Sequence, residues 1–178
     1  IDTRHALTAS RALDIGVDII NDVGGLRDHA MTELLSGHDG DIIVMHALTI
    51  PADVNRTLPA DCDVVAELMA WKKNITERAV AHGISAERLI YDVGIGFGKT
   101  AKQSLTLMHA AEQFQQSGGR WLFGHSRKSF MKLFSNVEAP LRDDLTMAFS
   151  AQLAHVGVDY LRVHNVARHA AMFEQLCT

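Results

Sequence analysis

Six short apolar runs in this chain each end on a polar residue capable of chemistry, and segments with helical apolar spacing separate them. The runs are Ile1-Asp2-Thr3, Val17 to Asp22, Asp41 to His46, Leu89 to Asp92, Trp121 to Ser126 and Tyr160 to His164. Near-continuous apolar strands alternating with helices demand a parallel sheet covered on both faces. When every strand delivers its polar group at the same end, those groups converge on one rim. In a (β/α)8 barrel that rim carries the active site. The expected fold is therefore α/β, a TIM barrel. A complete one takes about 250 residues, whereas this chain has 178 with six strand candidates. Ile1-Asp2-Thr3 reads as the end of a strand, so six βα units are expected within the chain and two before residue 1.

Composition narrows the class. With 47% hydrophobic and 21% charged residues, 1–178 has the balance of one ordinary globular domain. A net charge of −4 is no footprint for nucleic acid or a membrane surface. No run is long enough to span a bilayer, and no signal-peptide pattern opens the chain. Cys62 and Cys177 form no CxxC pair and read as free thiols, which favours the cytoplasm.

Local signals place helices at about 4–15, 28–36, 61–82, 100–117, 145–156 and 166–176, and strands at 17–22, 41–46, 88–92, 120–124 and 158–163. Thr100 and Gln103 have the spacing of a capping box. Asp143 or Asp144 is expected to cap the helix at 145, and Ser126-Arg127-Lys128-Ser129 to open one. Residues 47–60, with Pro51 and Pro59, form a long loop.

The segment Gly94-Ile95-Gly96-Phe97-Gly98-Lys99-Thr100 fails as a nucleotide phosphate loop, because Val93 stands where the first glycine is needed. It also fails the dinucleotide fingerprint, whose third glycine would be at Lys99. Either it is a flexible turn, or its glycines let backbone approach a flat ligand, with Phe97 as a wall and Asp92 beneath. Ser126-Arg127-Lys128-Ser129 puts cations and hydroxyls where a strand meets a helix, which suits an anionic or carbonyl-bearing ligand; the plain alternative is solvated surface charge. His125, a lone imidazole among apolar neighbours, is left out of the site. Arg162 and His164 alternate in strand register and share one face, with Val163 on the other. Two potential cations on one face call for an anion, or for a salt bridge. Asp2, Asn21 and Asp92 sit at three strand ends and together could read the donor–acceptor edge of a heteroaromatic ring. The remaining histidines have no metal-ligand spacing.

These residues resemble those of the dihydropteroate synthases of the pterin-binding family. The resemblance runs along the chain through Ile-Asp-Thr at 1–3, Ile-Asn-Asp at 20–22, Met-His at 45–46, the Asp-x-Gly-x-Gly-Phe-Gly-Lys-Thr segment at 92–100, Gly-x-Ser-Arg-Lys-Ser at 124–129 and Arg-Val-His at 162–164. It implies a (β/α)8 barrel that joins 4-aminobenzoate to the diphosphate ester of 6-hydroxymethyl-7,8-dihydropterin and releases pyrophosphate. Asp2, Asn21, Met45, Asp92, Lys128 and Arg162 would then bind the pterin. Phe97, Lys128 and Ser129 would form the aminobenzoate subsite, where sulfonamides compete. Arg162 and His164 would hold the diphosphate, and Lys128, Arg162 and His164 would carry the catalysis. The resemblance also implies magnesium as cofactor, with its ligand in the segment before residue 1, and a homodimer formed through helices late in the barrel.

The chain departs from the family pattern at Val93, where proline is usual, and at Asn165, where aspartate is common. His125 is unusual before Ser126. Two rivals are a methyltetrahydrofolate-dependent methyltransferase, which has no need of the 126–129 segment or the Arg162/His164 pair, and a non-catalytic pterin-binding protein of the same family. The expected absence of the first strand's Asn and of the loop that closes over aminobenzoate makes this chain alone an unpromising catalyst.

Overall fold

The computed structural model describes residues 1–176, so the thiol of Cys177 lies outside the described residues, and Cys62 is a free, partly buried thiol. The elements run β1 (Asp2–Thr3), α1 (Ala6–Asp14), β2 (Ile19–Asp22), α2 (His29–Ser36), β3 (Asp41–Met45), α3 (Val64–Ala81), β4 (Leu89–Asp92), α4 (Ala101–His109), α5 (Ala111–Gln116), β5 (Arg120–Phe123), α6 (Asp143–His155), β6 (Tyr160–Leu161) and α7 (Val166–Leu176). The six strands form one parallel sheet in chain order. Laid flat, six strands would separate β1 from β6 by about 24 Å. Instead Arg162, just past β6, reaches Asp2 on β1 at 3.4 Å. The sheet is curled into part of a barrel, as the alternation of strands and helices requires. No helix among the described residues is long and apolar enough to cross a membrane.

Register sorts the side chains into two sets. Asp2 lies beside Asn21, Asn21 beside Ile43, and Ile43 beside Ile90. Two residues further along, Met45 lies beside Asp92, Asp92 beside Leu122, and Leu122 beside Tyr160. Partners in register face the same way, as do residues two apart on a strand. Asp2, Asn21, Met45 and Asp92 therefore share the inner face. The alternate residues Ile20, Ile42, Val44, Tyr91, Val93, Trp121 and Phe123 face the helices and form the main core with Leu68, Leu107 and Phe114. An aromatic chain ties that layer together, with Trp71, Tyr91, Trp121, Phe114 and Phe123 in successive ring contact.

The expected helices form, with differences at their ends. Thr100 and Gln103 make the capping box, and Asp63 caps α3 through the Val65 and Ala66 amides. The helix expected over 100–117 breaks at Ala110, whose ψ of 8° turns the chain and seats Phe114 4.7 Å from Trp121. Neither Asp143 nor Asp144 caps α6, because Arg127 and Arg168 engage their carboxylates. Ser126 to Ser129 open a short 3-10 turn, Ser129–Leu133, in place of an α-helix. β6 is only two residues long, since one of its edges has no strand beside it among the described residues.

His125 falls on the outer face and packs where α6 and α7 meet β5. Its Nε2 and that of His169 each lie 2.9 Å from Ser150 Oγ, and both histidines and the serine are buried. A hydroxyl has one proton, so it donates to one ring and accepts from the other. Burial holds the His125 pKa down to about 4, well below the ordinary 6.5. The unfolded chain therefore takes up this proton first, and the stability His125 confers above pH 6.5 is lost as pH falls towards 4. Over that window the unfolding free energy of the native chain should fall by about 1.4 kcal/mol per pH unit more steeply than that of His125→Gln. Parallel curves in urea titrations at pH 4.5, 5.5 and 6.5 would show that this imidazole is not held neutral.

Candidate active site

At the C-terminal ends of the strands lies a cleft of about 480 Å³, walled by Asp2, Met45, Phe97, Lys128, Arg162 and His164 together with Val23, Ile50, Gly124, Ser126 and Val163. Six of the residues singled out from the sequence thus meet in one place. Asn21 and Asp92 lie in its floor, 6% and 0% exposed. Ser129 is exposed at the start of the 3-10 turn and is not among the walls, and the serine that faces inward is Ser126. Val163, expected on the opposite face, also lines the cleft, because β6 ends at Leu161 and strict alternation ends with it.

The floor is rich in acceptors. Asn21 Nδ2 donates to Asp2 Oδ2 at 3.0 Å, while the buried Asn21 Oδ1 has no partner. Asp92 Oδ1 accepts from the Gly94 amide at 2.8 Å, and Oδ2 from Arg162 Nη2 at 2.8 Å. Burial pushes the Asp92 carboxyl above the usual range, with the Arg162 guanidinium and the Gly94 amide opposing. Arg162 also reaches Asp2, so in this structure it bridges two carboxylates and makes the salt bridge left open by the sequence. Gly124 makes that reach possible: a Cβ there would stand 2.6 Å from Arg162 Nη2.

The mouth is cationic. Lys128 Nζ lies 4.7 Å from the centre of the Phe97 ring, and burial lowers its pKa while Asp92 resists. His164 Nδ1 lies 2.8 Å from Ser126 Oγ, whose oxygen also accepts from the His164 amide at 3.2 Å. Arg127 turns away from the cleft into Asp143. The positive charge at the mouth is that of Lys128 and Arg162, and His164 stands beside them two residues before the start of α7.

Lys99 falls within the 92–100 motif without a site role of its own, yet it holds the glycine segment in shape. It is 6% exposed, and its Nζ lies 2.8 Å from His46 Nδ1 and 3.1–3.3 Å from the carbonyls of Gly94, Phe97 and His46. Burial draws its pKa down to about 7, with the Asp92 charge opposing. Burial, then the charge of Lys99, lowers His46 to about 3, so its ring stays neutral and accepts from the ammonium. His46 therefore belongs to the wall behind the loop. Only a count of where a buried ammonium finds acceptors identifies Lys99. Ser126 could have been found from the inward series Leu122, Gly124, Ser126, two residues apart.

Known proteins resemble this chain over almost its whole length. A family model described as pterin binding enzyme matches residues 1–164. A dihydropteroate synthase of Neisseria meningitidis serogroup C is 35% identical over 170 residues, which is 93% of this chain and 60% of that protein. A probable bifunctional folylpolyglutamate synthase/dihydropteroate synthase of Haloferax volcanii is 38% identical over 96% of this chain and 20% of its own length. Among solved structures, dihydropteroate synthase from Anaplasma phagocytophilum with bound 6-hydroxymethylpterin-monophosphate superposes with a TM-score of 0.92 at 35% identity, covering 100% of this chain and 71% of that one. The Thermus thermophilus enzyme in complex with 4-aminobenzoate gives 0.87 at 32% identity, over 96% and 66% of the two chains. The chain thus spans at most about three fifths of the curated relatives cited here.

Close backbone approach, more than positive φ alone, should decide which glycines of the loop are irreplaceable. A Cβ on Gly94 would lie 2.0 Å from the His46 carbonyl oxygen, whereas one on Gly96 would meet only Lys128 Cδ at 3.8 Å. Both have positive φ, 64° and 80°. Gly94→Ala is expected to cost more than about 3 kcal/mol and Gly96→Ala about 1–2 kcal/mol. Equal losses in urea unfolding would contradict the reading.

Proposed function

The chain belongs to the pterin-binding enzyme family, and on that premise we propose that it is the pterin- and diphosphate-binding part of a dihydropteroate synthase. The reaction would join 4-aminobenzoate to (7,8-dihydropterin-6-yl)methyl diphosphate in folate biosynthesis. The observation that carries this reading is the unpartnered, buried Oδ1 of Asn21, whose Nδ2 donates to Asp2, on the same inner face as Asp92. A buried acceptor without a donor is costly, and the amino-pyrimidinone edge of a pterin brings N–H donors. Met45 would give that ring an apolar contact and Phe97 a wall.

In this reading Arg162 yields Asp92 to the pterin, whose 2-amino and N3–H groups present the same paired donors as a guanidinium. The freed Arg162, with His164, then takes the diphosphate, and Lys128 lies between the two subsites. The aniline nitrogen of 4-aminobenzoate attacks the methylene carbon as the C–O bond breaks. The bonding pair departs with pyrophosphate, and the extra proton on nitrogen passes to water. The cations stabilise charge that grows on the leaving group, and the electron-rich pterin supports the carbon left electron-poor. Positioning of the nucleophile does much of the rest.

Ser126, facing the cleft, replaces Ser129 in this account of the aminobenzoate side, where sulfonamides would compete. The family resemblance implies a magnesium ion that would accompany the diphosphate, and no step depends on it. A cytoplasmic location and a homodimer through α6 and α7 belong to the same proposal. The cationic mouth disfavours the methyltransferase reading, which has no diphosphate to hold.

Because Asp92 is wholly buried and offers its charge to the pterin edge, Asp92→Asn should weaken binding of 6-hydroxymethylpterin by roughly a hundredfold in calorimetry. Unchanged affinity in a folded variant would sink the assignment of the floor. Pterin binding without turnover in the full-length protein would support the non-catalytic relative instead.

A further inference from the structure

The segment that carries Ser126 and Lys128 contains a conformation its sequence does not favour. The Lys128 amide donates to the His125 carbonyl at 3.2 Å, closing a turn in which Arg127 has a φ of +58°. That left-handed position ordinarily takes glycine or asparagine. Arg127 is held there entirely from the first turn of α6. Its guanidinium makes a two-pronged pair with Asp143, at 2.7 and 3.0 Å. Its amide donates to Thr146 Oγ1 at 3.1 Å, and its carbonyl accepts from Arg142 Nη1 at 3.0 Å. Asp143 Oδ2 also accepts from Asn165 Nδ2 at 3.3 Å, next to His164. One carboxylate outside the cleft is thus tied to both segments that supply its cations.

We propose that Asp143 is a positioning residue for Lys128: by holding Arg127 in the left-handed turn, it fixes where that ammonium stands. It touches no cleft atom and acts through Arg127. The inference rests on the proposed function for the meaning of that cation, but not for the mechanics of the turn. The Arg127 guanidinium keeps the Asp143 carboxyl down at about 2, so the tie is ionised throughout the neutral range.

The test is a four-way comparison of the native chain, Asp143→Asn, Arg127→Gly and the double variant. Glycine takes the left-handed conformation without help, so in its presence the brace becomes dispensable. Asp143→Asn is expected to weaken 6-hydroxymethylpterin binding about tenfold in the native background and less than about twofold when Arg127→Gly is already present. A second readout needs no ligand: the pKa of Lys128, followed by 13Cε NMR, should rise towards the ordinary lysine value in Asp143→Asn and return in the double variant. A merely structural loss would lower the urea midpoint without this rescue. Equal effects of Asp143→Asn in both backgrounds, or none on the Lys128 titration, would overturn the proposal. If no chain binds the pterin while the Lys128 titration behaves as described, the brace stands and the functional reading falls.

Discussion

A carboxylate with no exposure to water must find its hydrogen bonds inside the protein, and the site is arranged around doing that for Asp92. One oxygen takes the Gly94 amide and the other takes Arg162. The first bond requires the backbone at Gly94 to run so close to His46 that no Cβ fits. The second requires Arg162 to lie across a strand end where only Gly124 leaves room. Removing either glycine would strand a buried charge, which is among the costlier faults a fold can carry. The same carboxylate supports the charge of the buried Lys99 and of the half-buried Lys128.

The fold is legible in the sequence because its signal is repeated. Six strands with one polarity pattern leave little choice but a curled parallel sheet, and residues two apart then face the same way. That alternation separates Asn21 from Asp22, Met45 from His46 and Ser126 from His125, with the inward member of each pair at the site. What is illegible depends on contacts distant in sequence. Ser129 stands out over Ser126 only if a helix begins there, and the segment is a 3-10 turn. Arg127 looks like a ligand cation, but its partner Asp143 is sixteen positions away. Lys99 stands in the 92–100 motif with nothing in the sequence to mark its role, which lies in four acceptors gathered from two loops. The break at Ala110 has no glycine or proline to announce it.

Two kinds of support therefore surround the cleft. Beneath the glycine loop, an ammonium gathers carbonyls and a neutral imidazole. Behind the Ser126–Lys128 turn, a carboxylate gathers a guanidinium and an amide. Each holds backbone in positive φ at the point where a side chain must enter the cleft. Strain at a functional site persists where surrounding contacts over-determine it, and here those contacts have names.

The central claim is that Arg162 serves two masters, the pterin-reading carboxylates and the anion. A ligand that takes Asp92 should release the guanidinium for the other, and linkage makes the coupling reciprocal. The direct measurement is the affinity for pyrophosphate with and without saturating 6-hydroxymethylpterin. The account predicts tighter pyrophosphate binding in the presence of the pterin, by about tenfold, with the gain abolished in Arg162→Met. Equal affinities under the two conditions would mean that Arg162 does not move between them, and the account of the site would be wrong at its centre.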